Sequence, residues 1–208
     1  MEPFTRVSAV AAPLDLPNVD TDRIIPARFL RKPRDVGYGQ FCFHDMRRRP
    51  DGAEDPTFVL NRPAYRDARI LVAAENFGCG SSREGAVWAL AGRGMRAVIA
   101  PSFGDIFQEN CLRNGLLPVR LPAATVEALR RALHGAPGAT VTIDLPAQTV
   151  AGPDGTSHRF DIDPFRKQTL LEGLDEVGLT LRRATEIDAF ETRHAAEWPW
   201  AMPGRLFG

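Results

Sequence analysis

Three observations predict an α/β fold. Arg69–Ala74 and Ala97–Ala100 are short, continuous apolar runs, the pattern of strands buried on both faces. A glycine-rich loop and a helical stretch lie between them. Beyond residue 139, shorter runs flank a Gly-Pro-Asp-Gly turn, as antiparallel β-structure does.

Each element follows from local chemistry. The N-terminal third, rich in Pro, Asp and Arg, reads as loop-heavy, with one short apolar patch at Val7–Ala12. Asn18-Val19-Asp20-Thr21-Asp22-Arg23-Ile24-Ile25-Pro26 opens with turn formers and closes on a proline that interrupts regular structure. The run Arg47-Arg48-Arg49-Pro50-Asp51-Gly52 reads as a solvated loop in preference to a ligand site. Arg69–Ala74 is a buried strand, Asn76–Gly85 a Gly/Ser loop, and Ala86–Ala91 a helix stopped near Gly92 and Gly94. Ala97–Ala100 is a second strand. Ser102 with Asp105 has the form of a capping box, opening a helix through Cys111 and Leu112 that stops at Gly115. This succession makes a right-handed parallel crossover the default. Leu116–Leu121 is a third strand and Ala123–Leu133 an amphipathic helix. Ala139–Leu145, Thr149–Ala151 and His158–Ile162 read as antiparallel strands, Pro164–Gly173 and Ala184–Ala196 as helices, and Trp198–Gly208 as a frayed end. The expected organisation is a core over residues 1–165 and a helical extension, 166–208, packed on it.

Composition excludes several classes. Lys+Arg 26 against Asp+Glu 26 gives a formal net charge of zero, without the basic footprint of a nucleic-acid binder or of a segment held on anionic lipid. No apolar run is long enough to span a bilayer, and the first residues lack the charged and apolar regions of a secretory signal. The three cysteines, Cys42, Cys79 and Cys111, are widely spaced with no CxxC, which argues against disulfides or a metal site within this chain and for a reducing cytoplasm.

Chemistry concentrates in Gly78–Gly85. A loop that leaves a buried strand and opens a helix aims backbone N–H groups at one spot, which suits an anion. Nucleotide motifs fit badly: Arg83 occupies the third glycine position of GxGxxG, and no Gly-Lys-Ser/Thr is present. The loop offers instead Ser81, Ser82 and Arg83, whose guanidinium fork matches a carboxylate. Two readings of Ser81 stand side by side, a ligand contact and a helix cap, since Ser81 with Glu84 also spells a capping box. Asp20 and Asp22 likewise read either as partners for an arginine or a serine hydroxyl, or as turn stabilisers. Cys79 lies near a helix N-terminus but has no local histidine to activate it. His44, His134, His158 and His194 are scattered and read as surface residues.

Taken together, the segments name a family. Asn18–Pro26, Glu75-Asn76-Phe77-Gly78-Cys79-Gly80-Ser81-Ser82-Arg83-Glu84, Ile99-Ala100-Pro101-Ser102-Phe103-Gly104-Asp105-Ile106-Phe107, Asn114-Gly115-Leu116-Leu117-Pro118, Phe165-Arg166 and Gly173–Leu181 occur in order. Over nearly the whole chain, to about residue 196, they closely resemble the small subunits of bacterial 3-isopropylmalate dehydratase, in the aconitase swivel-domain family. The resemblance implies a swivelling β/β/α domain like the aconitase C-terminal domain, with C-terminal helices. It also implies a large-subunit partner that carries a 4Fe–4S cluster, with no metal held by this chain. The implied reaction interconverts 2- and 3-isopropylmalate through isopropylmaleate, in leucine biosynthesis.

The resemblance assigns roles residue by residue. Ser81 becomes the general base, acting as an alkoxide, with Asp20 beside it. Ser82 and Arg83 bind substrate carboxylate, and Asp22, grouped with the substrate-binding residues, is the supporting partner of Asp20. Phe29 and Leu30, in Ala27–Arg31, meet the substrate's variable side chain or belong to the core. One departure stands out: the family usually has His after Glu84, where this chain has Gly85. Gly104 replaces a usual Ala. Gly85 keeps a related substrate open, such as homoaconitate, citraconate or dimethylmalate, and a non-catalytic carboxylate-binding module is the further alternative.

Overall fold

The computed structural model describes residues 1–33 and 37–201. They fall into two compact units, Met1–Gly173 and, from Leu174 onward, a second. The first is built on seven strands: β1 (Arg6–Leu14), β2 (Ile70–Ala73), β3 (Ala97–Ala100), β4 (Leu117–Arg120), β5 (Thr140–Asp144), β6 (Thr149–Ala151) and β7 (Ser157–Arg159). Their spatial order is β4-β3-β2-β1-β5-β6-β7. β1 to β4 pair in parallel and β1, β5, β6 and β7 pair antiparallel, so β1 joins two halves of opposite character.

The parallel half is apolar on both faces. Ala9 and Ala11 share one face with Ile70, Val72, Ala97 and Ile99. Ala12 and Leu14 share the other with Leu71, Ala73, Val98 and Ala100. The alternation is the two-residue period of a strand, hidden in the sequence because both sides are buried. That is why β1, nine residues long and central, reads as a mere patch in a loop-heavy region. Its alanines carry little β-propensity, and the polar alternation is confined to Arg6-Val7-Ser8-Ala9, too short to mark the strand.

Helices connect the parallel strands. Two one-turn helices, α1 (Thr21–Ile24) and α2 (His44–Arg47), lie in the connection from β1 to β2. α3 (Glu84–Gly92) covers one face through Ala86, Val87, Ala89 and Leu90. α4 (Asp105–Arg113) lies between β3 and β4 and adds Phe107 and Cys111 to the core on the α3 side. α5 (Ala123–Gly135) covers the other face through Val126, Leu129 and Leu133, spaced as one helical stripe. α6 (Pro164–Glu172) starts with proline, is capped by Asp163, and ends at Gly173 in the left-handed region.

The Ser102–Asp105 capping box does not form. α4 starts without a side-chain cap, and the Ser102 hydroxyl accepts a hydrogen bond from the Asn76 backbone N–H at 2.8 Å. The arginine run is also not uniformly solvated. Arg47 is buried, donates to the Cys42 carbonyl at 3.4 Å, and approaches Glu54 to 3.5 Å.

The second unit contains α7 (Glu176–Leu181), capped by Asp175, and α8 (Ala184–Glu197). No residue of either helix is buried. Of the expected frayed end, Pro199–Ala201 forms a 3-10 turn, and residues 202–208 lie outside the described residues.

Candidate active site

The site forms where chain leaves the carboxyl ends of β1 and β2. The segment after β1 and the loop after β2 run side by side as a parallel bridge at Asp20 and Cys79. The Gly78 N–H donates to the Val19 carbonyl at 2.7 Å, and the Thr21 N–H donates to the Cys79 carbonyl at 3.0 Å. The Thr21 hydroxyl, 2% exposed, donates to the Ser81 carbonyl at 2.9 Å. Two segments sixty residues apart are thereby tied together. Sequence reasoning singles out both segments but not Thr21, whose role depends on a partner no local pattern reveals.

Glycines make the close approach possible. Gly78 and Gly80 have φ of 73° and 91°, conformations that side chains resist. A Cβ on Gly78 would lie 2.2 Å from the Phe107 ring, whereas one on Gly80 would rest 3.5 Å from the Asp20 Cβ. A Cβ on Gly104 would lie 2.5 Å from the Gly78 carbonyl oxygen, so the loop and the start of α4 meet backbone to backbone here. The loop and the start of α4 enclose a cavity of about 190 Å³, lined by Gly78, Gly80, Ser81, Gly104, Asp105, Ile106 and Phe107.

Ser81 does not cap α3, which starts at Glu84 with no side-chain cap. Its hydroxyl is exposed and unbonded among the described residues, and Glu84 instead accepts from the Asn114 amide at 2.8 Å. Asp20 does cap a helix: one carboxylate oxygen accepts from the Arg23 N–H at 2.8 Å, beside Gly80. The turn-stabilising reading of Asp20 is thus observed, and among the described residues no arginine or serine side chain bonds its carboxylate. The Arg83 guanidinium is ion-paired with Asp22, which fixes its direction while its side chain is 18% exposed. Ser82 is exposed next to it.

Phe29 and Leu30 are half-buried against the core. Phe29 stacks on Phe41 at 4.3 Å between ring centroids, and Arg28 lies 4.6 Å from its ring centroid. Arg28 pairs with Asp45, which also contacts the His44 ring at 2.9 Å. This cluster escapes sequence reading, because His44 carries no motif. The hydrogen bond from Arg28, with His44 adding to it, holds the Asp45 carboxyl down at about 2.

No group of three or more His, Cys, Asp or Glu among the described residues is arranged to hold a metal ion. Cys42 and Cys111 are fully buried, and burial pushes the Cys42 thiol up to about 12 and the Cys111 thiol up as well. Cys79 is half-buried in the loop. Two sealed thiols and a third that is half-buried, with no group of three ligands among the described residues, do not fit an iron–sulfur cluster. No helix among the described residues is long and apolar enough to cross a membrane.

Known proteins match this arrangement. A family model described as the aconitase C-terminal domain matches residues 1–124, and one described as LeuD_N matches 127–164. A third, for the C-terminal domain of 3-isopropylmalate dehydratase small subunits, matches 176–203. The 3-isopropylmalate dehydratase small subunit of Rhodospirillum centenum is 54% identical over 97% of this chain and 100% of its own length. That of Paramagnetospirillum magneticum is 54% identical over 96% of this chain and 100% of its own length. The crystal structure of a 3-isopropylmalate dehydratase from Methanocaldococcus jannaschii superposes with a TM-score of 0.64 at 28% identity, covering 89% of this chain and 99% of that one. With the β/β/α core and its paired loops in place, these matches show that the chain belongs to the family of 3-isopropylmalate dehydratase small subunits, built on the aconitase C-terminal domain fold.

Proposed function

We propose that this chain supplies the proton-transfer and carboxylate-binding wall of an active site completed by a large subunit. As a family member it is part of a hydro-lyase of leucine biosynthesis. The observation that carries the residue-level reading is the tie between the Asp20–Asp22 turn and the Ser81–Arg83 loop. The tie joins the segment that carries Asp20 and Asp22 to the loop that carries the Ser81 hydroxyl and the Arg83 guanidinium, and Ser81 lines the adjoining cavity.

In this reading Arg83 and Ser82 hold a substrate carboxylate, and Asp22 keeps the arginine fork aimed. Ser81, as alkoxide, removes the proton next to that carboxylate. The C–H bond breaks, the serine O–H bond forms, and the electron pair becomes the C=C bond of isopropylmaleate as the hydroxyl leaves. A proton alpha to a carboxylate is weakly acidic, so the charge that develops must meet preorganised donors. Arg83 and the uncapped first turn of α3 are such donors, and they also favour the alkoxide. The leaving hydroxyl needs Lewis-acid chemistry, which a 4Fe–4S cluster on the large subunit supplies. Return of water with opposite regiochemistry gives the isomer.

The test is anaerobic reconstitution with the large subunit, in which wild type is compared with Ser81→Ala. Intact assembly with turnover lowered about 10²–10⁴-fold is expected for loss of a general base. Near-normal turnover would remove Ser81 from that role, and a wild-type mixture without activity on any substituted malate would favour a non-catalytic binding module.

A further inference from the structure

We propose that Tyr38 is a positioning residue for substrate selection, acting by holding Phe29 and Leu30 in place over the first turn of α3. The proposal rests on the reading that those two side chains meet the alkyl group of the substrate.

Tyr38 is 4% exposed, yet its hydroxyl reaches two backbone carbonyls of the segment that follows Phe29, Lys32 at 3.0 Å and Leu30 at 3.4 Å. Its ring stands edge-on to Phe41 at 6.1 Å, and Phe41 stacks on Phe29 at 4.3 Å and 13°. One buried tyrosine thus contacts both halves of the Phe29–Leu30 pair, the backbone of one directly and the ring of the other through Phe41.

Tyr38 is itself fixed to α3. Its ring meets Trp88 edge-on at 5.4 Å. Next to it, a Cβ on Gly39 would lie 2.2 Å from the Gly92 carbonyl oxygen, so the two backbones touch with no side chain between them. Two helical turns earlier, a Cβ on Gly85 would meet Leu30 Cδ2 at 2.8 Å and Tyr38 Cε1 at 3.3 Å. Gly85 is therefore the seat into which Leu30 and Tyr38 settle. α3 follows directly on Ser81–Arg83, so Tyr38 ties the alkyl-facing pair to the element that carries the carboxylate-binding loop.

The experiment uses the reconstituted two-subunit enzyme and compares kcat/KM for 3-isopropylmalate and 3-methylmalate. Tyr38→Phe keeps the ring and removes the hydroxyl. It should reduce the preference for the isopropyl substrate about fivefold, as expected for one lost hydrogen bond of roughly 1 kcal/mol, through KM rather than kcat. Gly85→Ala, which displaces Leu30 and crowds the edge of the tyrosine ring while leaving its hydroxyl in place, should shift the preference in the same direction. Phe29→Ala and Leu30→Ala separate the two layers of the argument. If they change the preference while Tyr38→Phe and Gly85→Ala do not, the positioning role is overturned and the reading of Phe29 and Leu30 survives. If neither alanine variant changes the preference, that reading fails and the proposal falls with it. A purely structural tyrosine would lower stability and leave the ratio between substrates unmoved.

Discussion

Gly78 and Gly80 allow strain and crowding to be separated in one experiment. Both have positive φ, 73° and 91°, so alanine at either position incurs a backbone penalty of about 1–3 kcal/mol. Only at Gly78 does the new methyl collide with a packed group. The Phe107 Cγ, Cδ1 and Cβ would lie 2.2, 2.4 and 2.8 Å from it. Phe107 is 3% exposed and set edge-to-face on Phe77 at 5.5 Å, so its retreat is blocked on that side and the ring can give way only toward the cavity it lines. Overpacking of that kind costs a further 1–3 kcal/mol or so. At Gly80 the nearest atom, at 3.5 Å, is in ordinary contact. Gly78→Ala should therefore destabilise by about 2–6 kcal/mol and exceed Gly80→Ala by about 1–3 kcal/mol. Urea denaturation followed by circular dichroism measures both, with the midpoint shifting at constant slope. Equal losses for the two variants would refute the argument that Phe107 closes this side of the loop.

Three further outcomes are expected. Arg83→Lys loses the planar fork and should raise KM about tenfold with kcat less affected, and unchanged KM in steady-state assays would contradict a carboxylate grip. Maleimide should label Cys79 in the folded chain and reach Cys42 and Cys111 only after unfolding, because the latter two are buried with raised thiol pKa values; peptide mass mapping reads the order. The depressed Asp45 carboxyl contributes stability that is full above its unfolded value of about 4 and lost as pH falls through about 2, so acid titration of wild type against Asp45→Asn should converge at the low end. At 53% exposure the difference at neutral pH should stay within about 1 kcal/mol.

What the sequence reveals and what it conceals differ by the range of the contacts involved. β2, β3 and the turn at Gly155 are legible because apolar runs and turn formers act within a few residues. β1 is illegible because its neighbours are supplied by residues 70–73 and 140–144, and burial on both faces erases its periodicity. Ser81 and Ser102 both match a capping pattern, and in both cases the tertiary setting overrides it. Ser102 turns to Asn76, and Ser81 lines the opening. Arg47 reads as solvated because local charge density says nothing of Cys42 and Asn61 closing over it, and the Asn61 amide donates to its carbonyl at 2.7 Å. The family motifs locate the Asp20–Asp22 and Ser81–Arg83 segments, but only the fold shows Thr21 as their link.

The place of β1 in the sheet bears on biosynthesis. Of the seven described strands it leaves the ribosome first, and β2 to β4 can join one flank once Arg120 has emerged. Its other flank, Arg6–Val10, must wait for Thr140–Asp144, so at translation rates of roughly 5–20 residues per second an open margin persists for about 1–5 seconds after Arg120 has emerged. A nascent chain stalled in that interval would present unpaired amides to any neighbouring strand, and chaperone capture should peak there and fall away once the hairpin at the far end has been made.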